Sequence, residues 1–258
     1  VQPGTYTGTV SSARRNVTLL GAGTGPEDTV ITSSGTVATV QISGQGWTVR
    51  NLTVSNTGAS TALQTQGDKS VFEDVRILGD KQALKIGSPN PTTAARAYFH
   101  RVFVEGGADA LIGRGTAVFA DSTFHLLNRP GNAMTDSSVD ASFEHGFLIT
   151  GSRILTDGAA GTAYLGRPYP ETPTAVAQVV VRDSEIGAAI GASPWRGYKD
   201  ATRDVPWTAG RFAEHRNTGA GAAVVDPAAR PQLSDADAER YTAAAYLAGT
   251  DGWNPTAG

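Results

Sequence analysis

Two short segments carry the residues best suited to chemistry. In residues 104–114, Asp109 lies among small and apolar residues at the end of a strand-like repeat. A carboxylate in that setting is either a turn former or a partly desolvated reactive group. In residues 164–170, Gly166 and Pro168 fix the backbone around Arg167, which makes it a good carboxylate partner. We therefore consider a shared Asp109–Arg167 site, with ordinary turn residues as the alternative.

Other kinds of active site lack their residues. The chain has no cysteine, which excludes disulfides, thiolate zinc sites, iron–sulfur clusters and a cysteine nucleophile. No Gly-x-Ser-x-Gly elbow occurs. The glycine-rich residues 21–25 precede another β-rich run instead of a helix, which favours a turn over a phosphate loop. The histidines lack metal-ligand spacing, so we expect no metal and no cofactor; they are His100, His125, His145 and His215.

Charge and hydropathy limit the partners. The net charge of −3 and the isoelectric point near 5.8 give no electrostatic reason to expect nucleic-acid binding. No run of about 18 apolar residues exists, so we expect no membrane span. Nothing in the sequence determines an oligomeric state.

A strand-like segment recurs along the chain and predicts how these residues are positioned. Six short β-branched segments alternate polar and apolar residues, and a polar or small residue lies in the middle of each. These central residues are Asn51, Asp74, Arg101, Asp121, Gly151 and Asp183, at intervals of 23, 27, 20, 30 and 32 residues, and Asn16 extends the column. Such spacing is typical of a solenoid with loops inserted between its coils.

The repeat predicts an all-β fold, a single-stranded right-handed parallel β-helix with a short C-terminal α-helix. A β-sandwich is the alternative, but its strands would recur every eight to twelve residues. We expect one domain over residues 1–258, with the β-helix over about 1–215 and C-terminal loops and a helix over about 216–258. Ser234 resembles an N-cap and Gly249 a C-terminal stop, so residues 236–247 are predicted to form one helix covering an end or flank of the solenoid.

Several motifs resemble those of the pectin methylesterase (pectinesterase) family. They are Gly4-Thr-Tyr6, Asn51-Leu-Thr-Val-Ser-Asn56, Gly67-Asp68, Glu105-Gly106-x-x-Asp109-x-x-Ile112, Leu165-Gly166-Arg167-Pro168 and Glu214-x-x-Asn217-Thr-Gly219-x-Gly221. The resemblance spans nearly the whole chain and implies the same parallel β-helix. It also implies an extracellular protein, although the sequence opens at Val1 without a charged and then apolar leader.

The resemblance implies roles for particular residues. Asp109 would be the nucleophile that attacks a methyl-ester carbonyl of galacturonate, and Arg167 would orient it. The family's acid/base aspartate corresponds to Gln82, and its two oxyanion glutamines correspond to Lys81 and Ala59. A glutamine amide does not exchange a proton near neutral pH, so the step usually worth about 10²–10⁴-fold lacks its catalyst.

Three functions remain open. The first is a pectinesterase-like ester hydrolase, weak or altered, that acts on methyl-esterified polygalacturonate or a related ester through Asp109, Arg167, Lys81 and Gln82. The second is a non-hydrolytic polysaccharide-binding pseudoenzyme whose groove uses Tyr169, Trp195 and basic groups such as Arg114. The third is the same groove repurposed to a different substrate and reaction. In each case the partner is a polysaccharide or a small ester.

Overall fold

The computed structural model describes residues 1–129 and 131–257, which wind into a parallel β-helix with three faces. In chain order the strands are β1 (Gly4–Thr7), β2 (Val10–Ser12), β3 (Thr18–Leu20), β4 (Thr29–Ser33), β5 (Val40–Ile42), β6 (Thr48–Asn56), β7 (Leu63–Thr65), β8 (Ser70–Gly79), β9 (Leu84–Ile86), β10 (Arg96–His100), β11 (Phe103–Gly106), β12 (Leu111–Gly113), β13 (Thr116–Ala120), β14 (Thr123–Leu126), β15 (Ala133–Ser137), β16 (Phe147–Thr150), β17 (Arg153–Thr156), β18 (Tyr164–Pro168), β19 (Gln178–Arg182), β20 (Glu185–Ile186), β21 (Tyr198–Lys199), β22 (Asp204–Val205) and β23 (Arg211–His215). A 3₁₀ turn covers Trp207–Ala209, and the helices are α1 (Asp235–Ala238) and α2 (Ala243–Leu247).

Successive coils contribute parallel strands to each face in turn. The first face contains β10, β13, β16, β19 and β23, and the second contains β11, β14, β17 and β20. The long strands β6 and β8 bend and continue across both of these faces. The third face is a seven-stranded parallel sheet in the order β18-β15-β12-β9-β7-β5-β2. All three faces follow from the predicted solenoid.

The bend between the first and second faces is built by the column of polar residues found in the sequence. The six residues from Asn51 to Asp183 have φ between 48° and 58°, the left-handed region that Asn, Asp and Gly adopt most readily. Asn16 also has a positive φ, but the expectation that it extends the column is wrong, because the register of β3 with β6 places Gly21 opposite Asn51 and leaves Asn16 at the turn before the first face. The exception in residue type is Arg101, whose guanidinium makes two hydrogen bonds to Asp74 on the preceding coil, at 2.8 and 2.7 Å. Arg216, with φ of 49°, continues the column. The repeat in the sequence is therefore a repeat of backbone conformation.

The core lies inside the three faces and consists of rows of inward-facing side chains. Phe72, Phe99 and Phe119 occupy the same register on three adjacent coils, and their ring centroids lie 4.5 and 4.4 Å apart in stacked pairs. All three are fully buried. Such offset aromatic pairs add to the burial of apolar surface, so this row stabilises the centre of the solenoid.

The C-terminal end of the described solenoid contains a buried ion pair. Glu214 continues the row that contains Val181, and Arg230 donates to it at 2.8 Å from a segment that pairs with β23. Asn217 also donates to Glu214, at 3.0 Å, and to the Val181 carbonyl at 2.9 Å. The Glu214-x-x-Asn217 motif therefore has a structural role.

The C-terminal segment packs against the outer side of the first face. Ser234 caps α1 as expected, because its Oγ accepts from the Asp237 amide. The predicted single helix is instead two short helices, since Thr242 is extended and caps α2 by accepting from the Ala245 amide. Tyr246 and Leu247 pack on side chains of the central strands of this face. The segment thus covers a flank.

Arg96 fastens the C-terminal segment to the solenoid. Its guanidinium bonds to Asp68 on the adjacent coil, to Asp251, and to the Leu247 and Ala248 carbonyls that follow α2. The Gly67-Asp68 motif is explained by this contact.

Across residues 1–129 and 131–257, no helix has both the length and the apolar character needed to cross a membrane.

Candidate active site

The third face gathers most of the residues predicted to act in catalysis at one edge. Ala59, Lys81, Gln82 and Asp109 lie in the turns that lead into β7, β9 and β12, three neighbouring strands. The turns stack directly, because the Ala108 amide donates to the Lys81 carbonyl at 3.2 Å. These positions therefore share one edge of the sheet.

Asp109 and Arg167 are in contact, although the coil that contains β15 lies between their own coils. Asp109 has φ of 50°, in the left-handed region that aspartate tolerates better than most residues. Arg167, in β18, donates from Nη2 to Asp109 Oδ1 at 3.0 Å. The Asp109 side chain is 11% exposed and that of Arg167 is 19% exposed. The pair is therefore largely buried but retains some access to solvent.

A second carboxylate, Asp136, completes the site and was not among the residues predicted from the sequence. Asp136 lies in β15 between the coils of Asp109 and Arg167, in register with Arg167. Arg167 donates to it twice, from Nε to Oδ1 at 2.6 Å and from Nη2 to Oδ2 at 2.8 Å. The available signal was its spacing, since Asp136 lies 27 residues after Asp109 and 31 before Arg167, both coil intervals.

Burial and like charge perturb this cluster. Burial, together with the charge of Asp109 and a hydrogen bond to it, raises the pKa of Asp136 to about 7, against the opposing effect of Arg167. Burial lowers the pKa of Arg167, but the hydrogen bond and charge of Asp136 outweigh it and leave that pKa above its ordinary value. One cation therefore serves two carboxyl groups, and the pair holds one proton more tightly than an ordinary aspartate does.

Aromatic rings form one wall beside Arg167. Tyr169 follows β18, and its ring packs edge-on against the ring of Tyr198, with the ring centroids 5.6 Å apart. The Arg167 guanidinium lies 5.3 Å from the centre of the Tyr198 ring, within cation–π range. Tyr198 belongs to the small antiparallel hairpin β21–β22, which also carries Arg203 near the outer side of the same ring. Of these two rings, Tyr169 was predicted from the sequence and Tyr198 was not.

Arg114 lies at the opposite end of β12 and is neutralised within the protein. Its guanidinium bonds to Glu171 at 2.6 and 3.0 Å, and Lys85 lies 3.7 Å from the same carboxylate. Burial raises the pKa of Glu171, but the hydrogen bond and charge of Arg114 outweigh it and hold that pKa below the usual range. The predicted role of Arg114 as a free basic group for an anionic sugar therefore needs revision, because Glu171 already satisfies its charge.

Trp195 lies inside the core. Its ring stacks on Phe212 with centroids 4.8 Å apart, and the residue is 2% exposed. A buried ring has no free face for a sugar, which corrects the expectation that Trp195 binds substrate. Its place in the fold is instead beside β18, where it forms a bridge with Gly166.

Lys81, Gln82 and Ala59 lie in the turns at the same edge of the sheet as Asp109. Lys81 and Ala59 are exposed and Gln82 is half-buried. Among residues 1–129 and 131–257, neither Lys81 nor Gln82 donates a side-chain hydrogen bond to Asp109 or Arg167. Asp80, next in sequence, bonds to Arg129 at 2.8 Å. The exposed turn thus contributes no carboxylate to the buried pair.

The arrangement suits nucleophilic and acid–base chemistry by carboxyl groups. Within the described part of the chain, no group of three or more His, Cys, Asp or Glu residues is placed to hold a metal ion. A carboxylate fixed by a cation can attack an acyl carbon, and a neighbouring carboxyl group with a raised pKa can exchange a proton. Both features are found together in the Asp109–Asp136–Arg167 cluster.

Comparison with known proteins points in the same direction. A family model described as Pectinesterase matches residues 1–250. A pectinesterase from Ralstonia solanacearum is 32% identical, with the match covering 71% of this chain and 54% of that protein. The chain thus spans about half the length of this relative. A pectinesterase from Daucus carota is 27% identical, with coverage of 96% of this chain and 83% of the relative.

Solved structures give the same fold. Pectin methylesterase PemA from Erwinia chrysanthemi superposes with a TM-score of 0.83 at 24% identity, covering 99% of this chain and 88% of that one. A pectin methylesterase in complex with a hexasaccharide gives a TM-score of 0.84 at the same identity and coverage. These likenesses support the right-handed parallel β-helix. With the family model matching almost the entire length, the chain belongs to the pectinesterase family.

Proposed function

We propose that this protein hydrolyses a carboxylic ester of a uronate polymer, such as methyl-esterified polygalacturonate, with Asp109 as the nucleophile. The observation that carries the proposal is the Asp109–Arg167 contact of 3.0 Å at the edge of the third face. Arg167 fixes one carboxylate oxygen and leaves the other for attack on an acyl carbon. Membership of the pectinesterase family and the hexasaccharide-bound neighbour support the choice of substrate class.

The groups around the nucleophile argue for a slow or altered reaction. Gln82 replaces the family's acid/base aspartate, and Lys81 and Ala59 replace its oxyanion glutamines. Loss of an oxyanion donor typically costs about 10²-fold or more in rate. Lys81 offers a cation in place of one donor, and Ala59 offers none. We therefore expect hydrolysis of pectin below the rate of the carrot relative.

The first experiment measures methanol released from highly methylated pectin by the wild-type chain and by Asp109→Asn. Asparagine also tolerates the left-handed backbone at this position, so the fold should survive. Asp121→Asn is the matched control, since Asp121 has φ of 51° but lies on a different edge. We expect release to fall to background for Asp109→Asn only. Equal rates for the wild type and Asp109→Asn, or no release from any uronate methyl ester, would refute the proposal.

A gain-of-function variant tests the substituted positions. Lys81→Gln and Ala59→Gln, combined with Gln82→Asp, should raise methanol release by about 10²-fold or more, because oxyanion donors are restored. No gain in a folded variant would favour a different substrate.

The second candidate is a polysaccharide-binding protein without hydrolysis. The wall formed by Tyr169 and Tyr198 beside Arg167 favours contact with an anionic sugar. Binding without catalysis would be supported by two results. The wild type would be retained on demethylated pectin without releasing methanol from methylated pectin, and Tyr198→Ala would lose that retention.

A further inference from the structure

The Asp109–Asp136–Arg167 cluster has an uneven distribution of charge. Arg167 uses Nε and Nη2 for Asp136, and the second hydrogen of Nη2 for Asp109. Two carboxylates would leave one negative charge uncompensated in a site where the side chains of Asp109 and Asp136 are 11% and 5% exposed. Retention of one proton removes that charge.

The Asp136 carboxyl group lies beside the nucleophile. Asp136 and Asp109 accept hydrogen bonds from the same nitrogen, Nη2 of Arg167, at 2.8 and 3.0 Å, so their carboxyl groups are neighbours. Burial raises the pKa of Asp136. An acyl carbon bonded to an oxygen of Asp109 would therefore have the Asp136 carboxyl group as a close neighbour. General acid catalysis requires this proximity, about one hydrogen bond or one water between the donor and the reacting atom.

We propose that Asp136 is the general acid and base of this site, in place of the carboxyl group that Gln82 cannot supply. The assignment rests on the proposed ester hydrolysis by Asp109. Asp136 lies on the coil after Asp109, whereas Gln82 lies on the coil before it, so the proton donor has moved to the other side of the nucleophile.

The steps balance in atoms and charge. An oxygen of the Asp109 carboxylate bonds to the ester carbonyl carbon, the bond from that carbon to the methoxy oxygen breaks, and Asp136 protonates this oxygen to give methanol. The acyl group is then an anhydride with Asp109. The Asp136 carboxylate next removes a proton from water as the water oxygen attacks the acyl carbon. Asp109 leaves as carboxylate, Asp136 is again protonated, and the uronic acid loses its remaining proton to solvent.

The other nearby groups are less suited to this role. The Gln82 amide carries no exchangeable proton near neutral pH. Asp80 is 60% exposed in its side chain and already paired with Arg129. Asp136 alone among these groups is both buried and bonded to the partner of the nucleophile.

The test compares Asp136→Asn with the wild type on two esters of the same uronate. On the methyl ester, kcat should fall about 10²–10⁴-fold, because methoxide needs a proton to leave. On an aryl ester whose leaving group departs as a stable anion, the first turnover should stay within about tenfold of the wild type. A burst of one equivalent of aryl alcohol should follow, since the anhydride then lacks its base for hydrolysis.

Two further measurements separate catalysis from support of the fold. The alkaline fall in wild-type kcat above about pH 7 should be absent in Asp136→Asn. Adding Gln82→Asp to Asp136→Asn should restore methyl-ester turnover at least tenfold, whereas Gln82→Asn should not. Equal losses on both esters, or a methyl-ester rate within about threefold of the wild type, would overturn the role of Asp136. If the wild-type protein hydrolysed neither ester, the result would instead refute the proposed function.

Discussion

Raising the pH from mildly acidic to mildly alkaline should destabilise the wild-type protein relative to Asp136→Asn. The pKa of Asp136 rises from an ordinary value of 3.8 to about 7 in the folded chain, chiefly through burial. Between these two values the folded state binds more protons than the unfolded state. The free energy of unfolding therefore falls as the pH rises through this window, and the loss is complete above about pH 7.

The structure sets the size of the effect. A displacement from 3.8 to about 7 corresponds to about 4 kcal/mol at full linkage. Arg167 is partly exposed, so solvent weakens the electrostatic interactions of the pair. We therefore expect the free energy of unfolding to fall by about 2–4 kcal/mol. Asparagine has nearly the shape of the protonated side chain but does not ionise, so the variant lacks this pH-dependent loss.

Urea unfolding followed by tryptophan fluorescence at about pH 4.5, 6 and 8 measures the difference. Asp80→Asn is the matched control, because Asp80 is also paired with an arginine but is exposed. The difference in the free energy of unfolding between Asp80→Asn and the wild type should change by less than about 0.5 kcal/mol over the same pH range. A constant difference for Asp136→Asn, or a wild type that gains stability relative to it as the pH rises, would refute the argument that the buried pair holds a proton.

Two predictions concern the core and the end of the solenoid. Phe99→Ala should lower the free energy of unfolding by about 3–5 kcal/mol in urea titrations, because it empties the middle of the phenylalanine row; a loss below about 1 kcal/mol would contradict this. Arg230→Met should cost about 3–5 kcal/mol by leaving the Glu214 charge buried and unpaired. Adding Glu214→Met should recover most of that loss, and a double variant less stable than Arg230→Met would contradict the assignment.

The solenoid could be predicted because its signal is repeated. The bend between two faces needs a residue that tolerates positive φ, and Asn51, Asp74, Asp121 and Asp183 mark it in the sequence. Each coil supplies the same information again, so loops of different length do not hide it. The contact of Asp109 with Arg167 could be predicted for a different reason, since the motifs that contain them resemble those of a known family.

Asp136 and Trp195 show what the sequence could not reveal. Asp136 belongs to a short run of small residues without the alternation of the other repeats, and its meaning depends on which coils stack beside it. Trp195 follows the site motifs in sequence, but its ring packs on Phe212. Thr242 similarly interrupts the predicted helix, because its extended backbone and its N-cap contact with the Ala245 amide begin a second helix there. In each case the outcome depends on a contact, and residue type alone does not specify it.

The Arg96 clasp changes how the solenoid is expected to come apart. Coils that contact only their neighbours can fray independently from either end. Arg96 joins the Asp68 turn to carbonyls and a carboxylate more than 150 residues later, so the last residues of the chain are fastened beside an early coil. The C-terminal segment then lies as a strap across the central coils of the first face. Local fraying of those coils must first release the strap, which makes the intervening coils, including those that carry Asp109 and Asp136, open as one cooperative unit.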